Sequence, residues 1–247
     1  QTAKAAKQAT TGITSFGEAA ALAGKRFLAF SIAGGAVVRF AGSIINATKE
    51  AIAFERQMNK IQQATGSSAK AVGSIASEIS RLGKTFGVSS IELSKAAQVL
   101  AQAGLSADET RKSLQALAKS DLAPTFDSIA NTTEGAVAIF RQFRVEAEDL
   151  EGVLGSLNAV AAKFAVESSD IVSAIRRTGG AFAAAGGSLN ELTALFTSVR
   201  ATTRESADSI ATGFRTIFTR LQRVRTQNFL QQMGIDLQNL EGQFVGP

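Results

Sequence analysis

Apolar residues recur at alternating steps of three and four along almost the whole chain, and this spacing limits the possible folds most. It places apolar side chains on one face of an α-helix. Only Pro124 and Pro247 interrupt an alanine-rich sequence, and this composition favours long helices. We therefore predict an all-α protein, a multi-helix array. The clearest helix faces lie in residues 44–61, 72–86, 150–164, 171–182 and 210–224.

Local signals mark the ends of these helices. A serine or threonine followed three residues later by glutamate forms a capping box at a helix start. The pairs are Ser15/Glu18, Ser89/Glu92, Ser106/Glu109, Ser188/Glu191 and Thr202/Glu205. Glycine commonly ends a helix, which predicts ends at Gly87, Gly104 and Gly186–Gly187. Pro124 predicts a further helix that opens near Thr125.

Short segments recur in the same order in the second half of the chain, which predicts an internal duplication. The offset between matching segments runs from 78 to 90 residues. Repeated helical units of this kind pack against their neighbours. The matching segments are 88–91 with 166–171, 103–106 with 185–188, 127–130 with 208–211, and 150–152 with 240–242.

The predicted organisation has three parts. Residues 1–65 form an N-terminal helical segment, residues 66–162 a first helical unit and residues 163–247 a second, similar unit. The N-terminal segment holds a short seam with coiled-coil spacing at 44–61. It also holds the apolar stretch 27–38, which is shorter than the roughly 20 residues of a membrane span. Because the first residue is Gln1, we expect a piece of a longer protein.

The residue types that are missing exclude several kinds of site. The sequence has no Cys, His, Trp or Tyr. Zinc sites built from Cys and His, disulfides, and Ser-His-Asp or Cys-His nucleophiles are therefore excluded. The tripeptide at 83–85 resembles the end of a phosphate-binding loop, but Glu78 stands where that motif needs glycine. We predict no enzyme, and no catalytic, cofactor-binding or metal-binding residues.

Charged residues cluster in two places. An acidic cluster could cleave glycosides, but acids before an apolar helix face more often complement the helix dipole. Six arginines in the last quarter fit a solvated face, a docking face for an acidic protein, or DNA contact. The net charge of +5 permits an acidic partner. The cluster is Glu146, Glu148, Asp149 and Glu151, and the arginines are Arg200, Arg204, Arg215, Arg220, Arg223 and Arg225.

Two further features have open interpretations. Phe214 and Phe218 fit an apolar helix face and are predicted to be core residues. The small residues of 179–188 suit close helix packing or exchange between oligomeric and compact states. They equally suit an ordinary helix with a Gly-Gly cap.

Residues 54–221 resemble the core region of phage tail tape-measure proteins. The resemblance is carried by segments 54–58, 87–89, 100–106, 174–192, 206–207 and 212–221. It implies a structural protein that templates tail length, occupies the tail tube and tip, and is released during genome ejection. The implied partners are further copies of the chain as a trimer, the tail tube protein and the tail-tip or baseplate hub proteins. The implied location is the virion, and the host cytoplasm during assembly.

Two alternatives to this role remain. Residues 27–48 could act on the host membrane and assist DNA passage through the envelope, although Arg39 lies in their middle. The arginine-rich region could belong to a basic helical DNA-binding protein, but DNA binding is not expected.

Overall fold

The computed structural model describes the backbone of residues 36–237 and the side chains of residues 49–63 and 65–237. Every regular element in this range is an α-helix, which confirms the predicted all-α class. The helices are α1 Ala36–Thr65, α2 Ala69–Phe86, α3 Ser90–Gln102, α4 Ala107–Ser120, α5 Ile129–Phe143, α6 Leu150–Phe164, α7 Ser168–Ala184, α8 Leu189–Thr203, α9 Ala207–Leu221 and α10 Val224–Gln232.

The boundary between two compact units falls inside α1, between Arg56 and Gln57. In the second unit, Met58 and Ile61 are buried. The side chains of residues 44–48, the first part of the predicted seam, lie outside the described residues. Most of the apolar stretch 27–38 lies outside the described residues. None of the described helices combines the length and apolarity that a bilayer crossing requires.

Helices α2 to α9 form two rows. Each of α2 to α7 contacts the helix two places further along the chain, so α2, α4, α6 and α8 make one row and α3, α5, α7 and α9 the other. The helices of the second row begin at a constant interval of 39 residues, at Ser90, Ile129, Ser168 and Ala207. Each helix pair therefore contacts mainly its neighbours, as in stacked helical repeats.

The positions of the helices show which of the predicted segment matches fall at equivalent places in the structure. Ser106 and Ser188 both precede helices of the first row, as the matched segments imply. The match of 127–130 with 208–211 is out of register. Ser128 caps α5, whereas Ser209 lies inside α9, whose cap is Ser206. The division into units 66–162 and 163–247 stays a prediction.

Side-chain caps begin many of these helices. The capping boxes Ser106/Glu109 and Ser188/Glu191 are confirmed, with both hydrogen bonds of each box formed. Ser89 caps α3 by accepting from the Glu92 amide. Ser15/Glu18 lies outside the described residues.

Two predicted helix starts are wrong. Thr202 lies within α8, where its hydroxyl donates to the Ser198 carbonyl, and α9 begins only after Ser206. Pro124 lies in a turn, and the next helix, α5, begins only at Ile129, after its cap residue Ser128. The same short pattern thus occurs at a helix start and inside a helix.

The helix ends predicted from glycine are confirmed at three positions, and three other helices end at a left-handed residue that is not glycine. Gly87, Gly104 and Gly186 have positive φ angles of 74°, 95° and 83°. Arg144, Ala165 and Arg204 adopt the same left-handed conformation at the ends of α5, α6 and α8, at positions where the sequence gives no glycine signal. A non-glycine residue in this conformation costs roughly 1–2 kcal/mol.

Side chains also tie the C-terminal ends of helices in the same row. Arg141 of α5 donates to the carbonyl of Ala103 after α3, at 3.0 Å. Arg204 after α8 donates to the carbonyl of Ala165 after α6, at 2.8 Å. Gln222 after α9 donates to the carbonyl of Ala181 in α7, at 2.8 Å. The arginines also place positive charge at the negative ends of helix dipoles.

Glycines set the close approach of α5 and α7. A Cβ at Gly135 of α5 would overlap the buried Val172 side chain of α7. A Cβ at Gly179 of α7 would overlap Gln142 of α5 and approach the Phe143 ring. At both positions, side chains of the facing helix therefore occupy the space that a glycine leaves free.

Gly135→Ala is expected to lower the free energy of unfolding by about 1–3 kcal/mol, because the added methyl group must displace Val172. Urea unfolding followed by far-ultraviolet circular dichroism measures the change. Gly155→Ala in α6 is the matched control, because no atom lies within 4 Å of its added Cβ. Helix propensity should stabilise that variant by up to about 1 kcal/mol. Equal effects of the two changes would contradict the close-packing account.

The capping boxes predict an acid-sensitive part of the stability. Hydrogen bonds from the Ser106 hydroxyl and amide lower the pKa of Glu109 below its ordinary value. The Ser188 amide and hydroxyl do the same for Glu191. A lowered folded-state pKa contributes stability above the unfolded pKa, and this contribution is lost as the pH falls through the folded value.

We therefore expect the double variant Glu109→Gln, Glu191→Gln to lose less stability than the parent chain between about pH 5 and pH 3. Glutamine keeps the capping geometry but does not titrate. Urea midpoints across this range test the expectation, with Glu134→Gln on the exposed face of α5 as control. Identical pH slopes in the parent and the double variant would refute it.

Candidate interaction surface

An apolar groove of about 910 Å³ lies between α6 and α8. These two helices contact each other less extensively than α4 and α6 do, which leaves the groove open. Its α6 wall includes Val153, Val160 and Phe164, and Phe164 is 46% exposed. The opposite wall, on α8, carries mainly small side chains such as Ala194 and Ser198. An open groove of this composition suits another α-helix better than a polar small molecule.

The sequence of α6 explains the exposed wall. Leu150, Leu154 and Leu157 are buried in the second unit. Val153 and Val160 lie seven residues apart on an adjacent stripe and are only half-buried. The helix is thus apolar over more of its circumference than one buried face requires.

The groove contains a buried hydroxyl that has no hydrogen-bond partner among the described residues. Thr197 of α8 lines the groove and is 4% exposed. Its Oγ1 makes no hydrogen bond within the described part of the chain. Thr193, one turn earlier, donates to the Leu189 carbonyl at 2.9 Å. An unsatisfied buried hydroxyl costs about 1–3 kcal/mol, which a partner that supplies a polar atom could recover.

The predicted acidic cluster lies at the N-terminal end of this groove. Glu151 is in the first turn of α6 and pairs with Lys119 of α4 at 2.6 Å. Glu148 pairs with Lys112, whose hydrogen bond lowers the pKa of the Glu148 carboxyl. Asp149 is the N-cap residue of α6, and its side chain makes no capping bond. Two members of the cluster therefore join α4 to α6.

The predicted arginine set also divides into two groups. Arg200 pairs with Asp170 at 2.8 Å and joins α8 to α7, and Arg204 ties α8 to α6 as described above. The other arginines are exposed and have no ion pair among the described residues; they are Arg215, Arg220, Arg223 and Arg225. Of the two predicted core aromatics, Phe218 is buried and its ring centroid lies 4.6 Å from that of Phe182. Phe214 is half-buried.

The other motifs have structural positions. The tripeptide at 83–85 falls in the last turns of α2. In the run 179–188, Gly179 permits close packing on α5 and Gly186 ends α7, as expected of close helix packing and of a glycine cap. Exchange between oligomeric and compact states stays a prediction. Within the described ranges, no three acidic residues are grouped so that they could hold a metal ion.

Sequence reasoning did not predict the groove, because its width depends on how far α6 and α8 are separated. The second apolar stripe of α6, at Val153 and Val160, was the available signal. It indicates a second contact face but does not identify the partner.

Comparison with known proteins gives the family. No solved structure matches the chain. The profile of the family described as phage-related minor tail protein matches residues 76–247, which includes most of α2 and all later helices. That family indicates a structural rather than an enzymatic role. This chain therefore belongs to the phage-related minor tail proteins and is a structural, virion-associated component of a phage tail.

Proposed function

We propose that this chain is the core segment of a tail tape-measure protein. In this role it templates tail length, occupies the tail tube and tip, and is released during genome ejection. The family match over residues 76–247 supports the tail role. The resemblance of residues 54–221 to tape-measure cores supports the finer assignment.

The constant 39-residue period is the observation that carries the proposal. Helix pairs that contact mainly their neighbours make an array whose length grows in equal steps with chain length. A molecular ruler needs this proportionality. A compact globule lacks it, because its diameter grows only weakly with residue number.

The proposed partners are proteins. The tail tube protein and the tail-tip or baseplate hub proteins would contact the outer faces of the helix rows. The exposed Arg215 and Arg220 of α9 supply a surface for such contacts. Assembly would take place in the host cytoplasm, with copies of the chain associated as a trimer.

Deleting residues 129–167 from the phage gene tests the ruler. The deletion removes one whole 39-residue period and joins the cap Ser128 to the start of α7. Tails should shorten by about 58 Å if the segment spans the tube as continuous helix, at 1.5 Å per residue. They should shorten by about 10 Å if it remains stacked, because one helix spacing is lost. Electron microscopy of purified tails measures the change.

A tandem duplication of residues 129–167 should lengthen the tails by the same increment. The equal-length variant Gly155→Ala is the control and should leave tail length unchanged. Tails of unaltered length in both the deletion and the duplication would refute the tape-measure role. Membership of the tail protein family would remain.

A further inference from the structure

The short helix α10 exposes an apolar face that nothing in the described structure covers. It spans nine residues, packs on α9 and has no buried residue. Phe229 is 60% exposed and Met233 62% exposed, one helical turn apart. So short a helix is marginal in water without tertiary packing. Neighbouring exposed apolar side chains of this size mark a contact surface.

The groove between α6 and α8 matches α10 in size and surface. The α6 wall holds 15 residues and is about 22 Å long, whereas α10 is about 14 Å long. Ser156 of α6 and Ala194 and Ser198 of α8 present small side chains, so a helix backbone could approach closely. Thr197 offers a buried hydroxyl with no hydrogen-bond partner among the described residues.

Charges at the two surfaces are complementary. Arg223 and Arg225 lie at the N-terminal end of α10, and Arg225 is one turn before Phe229 on the same face. Glu146 and Asp149 lie beside the N-terminal end of α6. Both carboxylates are exposed and form no ion pair within the described ranges. These charges would align the N-terminal end of α10 with that of α6.

In one copy, the groove lies in one row, whereas α10 packs on the last helix of the other row. Helix α10 follows α9, whose end is tied to α7 through Gln222 and the Ala181 carbonyl. The groove lies between α6 and α8 of the opposite row. A second copy can approach the groove without breaking the tie between α9 and α7.

We propose that α10 of one copy docks in the groove between α6 and α8 of a second copy. Phe229 and Met233 enter the apolar part, and Arg223 and Arg225 face Glu146 and Asp149. The contact joins two different surfaces. In a pair of copies, the copy that supplies α10 therefore still has a free groove, and the copy that supplies the groove still has a free α10. Copies therefore add head to tail until a ring closes or a filament extends.

Disulfide trapping tests this contact in the 247-residue chain, which contains no cysteine. A Gln232→Cys variant, altered on the Phe229 side of α10, is mixed with a Ser198→Cys variant, altered in the groove. We expect a mixed disulfide dimer, seen on non-reducing gels, to form at least about tenfold faster than with Ser77→Cys, an exposed site on α2. Equal rates for the two mixtures would overturn the proposal.

Substitutions separate this contact from association elsewhere. Phe229→Asp added to the Gln232→Cys chain should reduce trapping about thirtyfold, as expected for loss of a central aromatic anchor. Asp149→Arg in the groove chain should also slow trapping, and Arg225→Asp in its partner should restore it. Trapping that is insensitive to all three changes would refute the proposed geometry.

A chain that carries both Gln232→Cys and Ser198→Cys tests the intramolecular alternative. Our proposal predicts disulfide-linked dimers and larger species that depend on protein concentration. A monomeric, internally linked product at all concentrations would show that α10 fills its own groove, and would overturn the proposal. Neither result depends on tail length, so the ruler and the docking contact can fail separately.

Discussion

The close approach of α5 and α7 at Gly135 and Gly179 is the contact on which the rest of the array depends. These helices are successive members of one row, and their contact is among the broadest in the second unit. A methyl group at Gly135 would overlap the buried Val172, and one at Gly179 would displace Gln142 and crowd the Phe143 ring. Because α7 also packs on α9, a wider spacing here would change the contact between α7 and α9 as well.

Local chemistry made part of this fold predictable from sequence. Ser106 with Glu109 and Ser188 with Glu191 satisfy backbone groups within a single turn, so the pattern alone locates those helix starts. Thr202 with Glu205 has the same spacing, but the Thr202 hydroxyl donates to the Ser198 carbonyl inside a helix. The pattern indicates the capacity to cap, whereas packing decides where the helix begins.

Tertiary geometry accounts for what sequence reasoning missed. The backbone of Arg204 adopts the left-handed conformation at the end of α8, and its side chain donates a hydrogen bond to the carbonyl of Ala165. That contact joins residues 39 positions apart, so no local pattern reveals it. The groove is similar, because the half-exposed Val153 and Val160 indicate an additional face but not the separation of α6 from α8. The acidic cluster and the arginine set likewise each divide into side chains that join two helices and side chains that form no ion pair among the described residues.

The side-chain ties at the helix ends have a mechanical consequence. Arg141, Arg204 and Gln222 each join one helix end to the next in its row, and no tie of this kind among the described residues skips a member. An axial pull on one end of the array would therefore break one tie at a time and detach helices in chain order. Each detached pair would release about 130 Å of extended backbone. Such an array would yield to tension in steps.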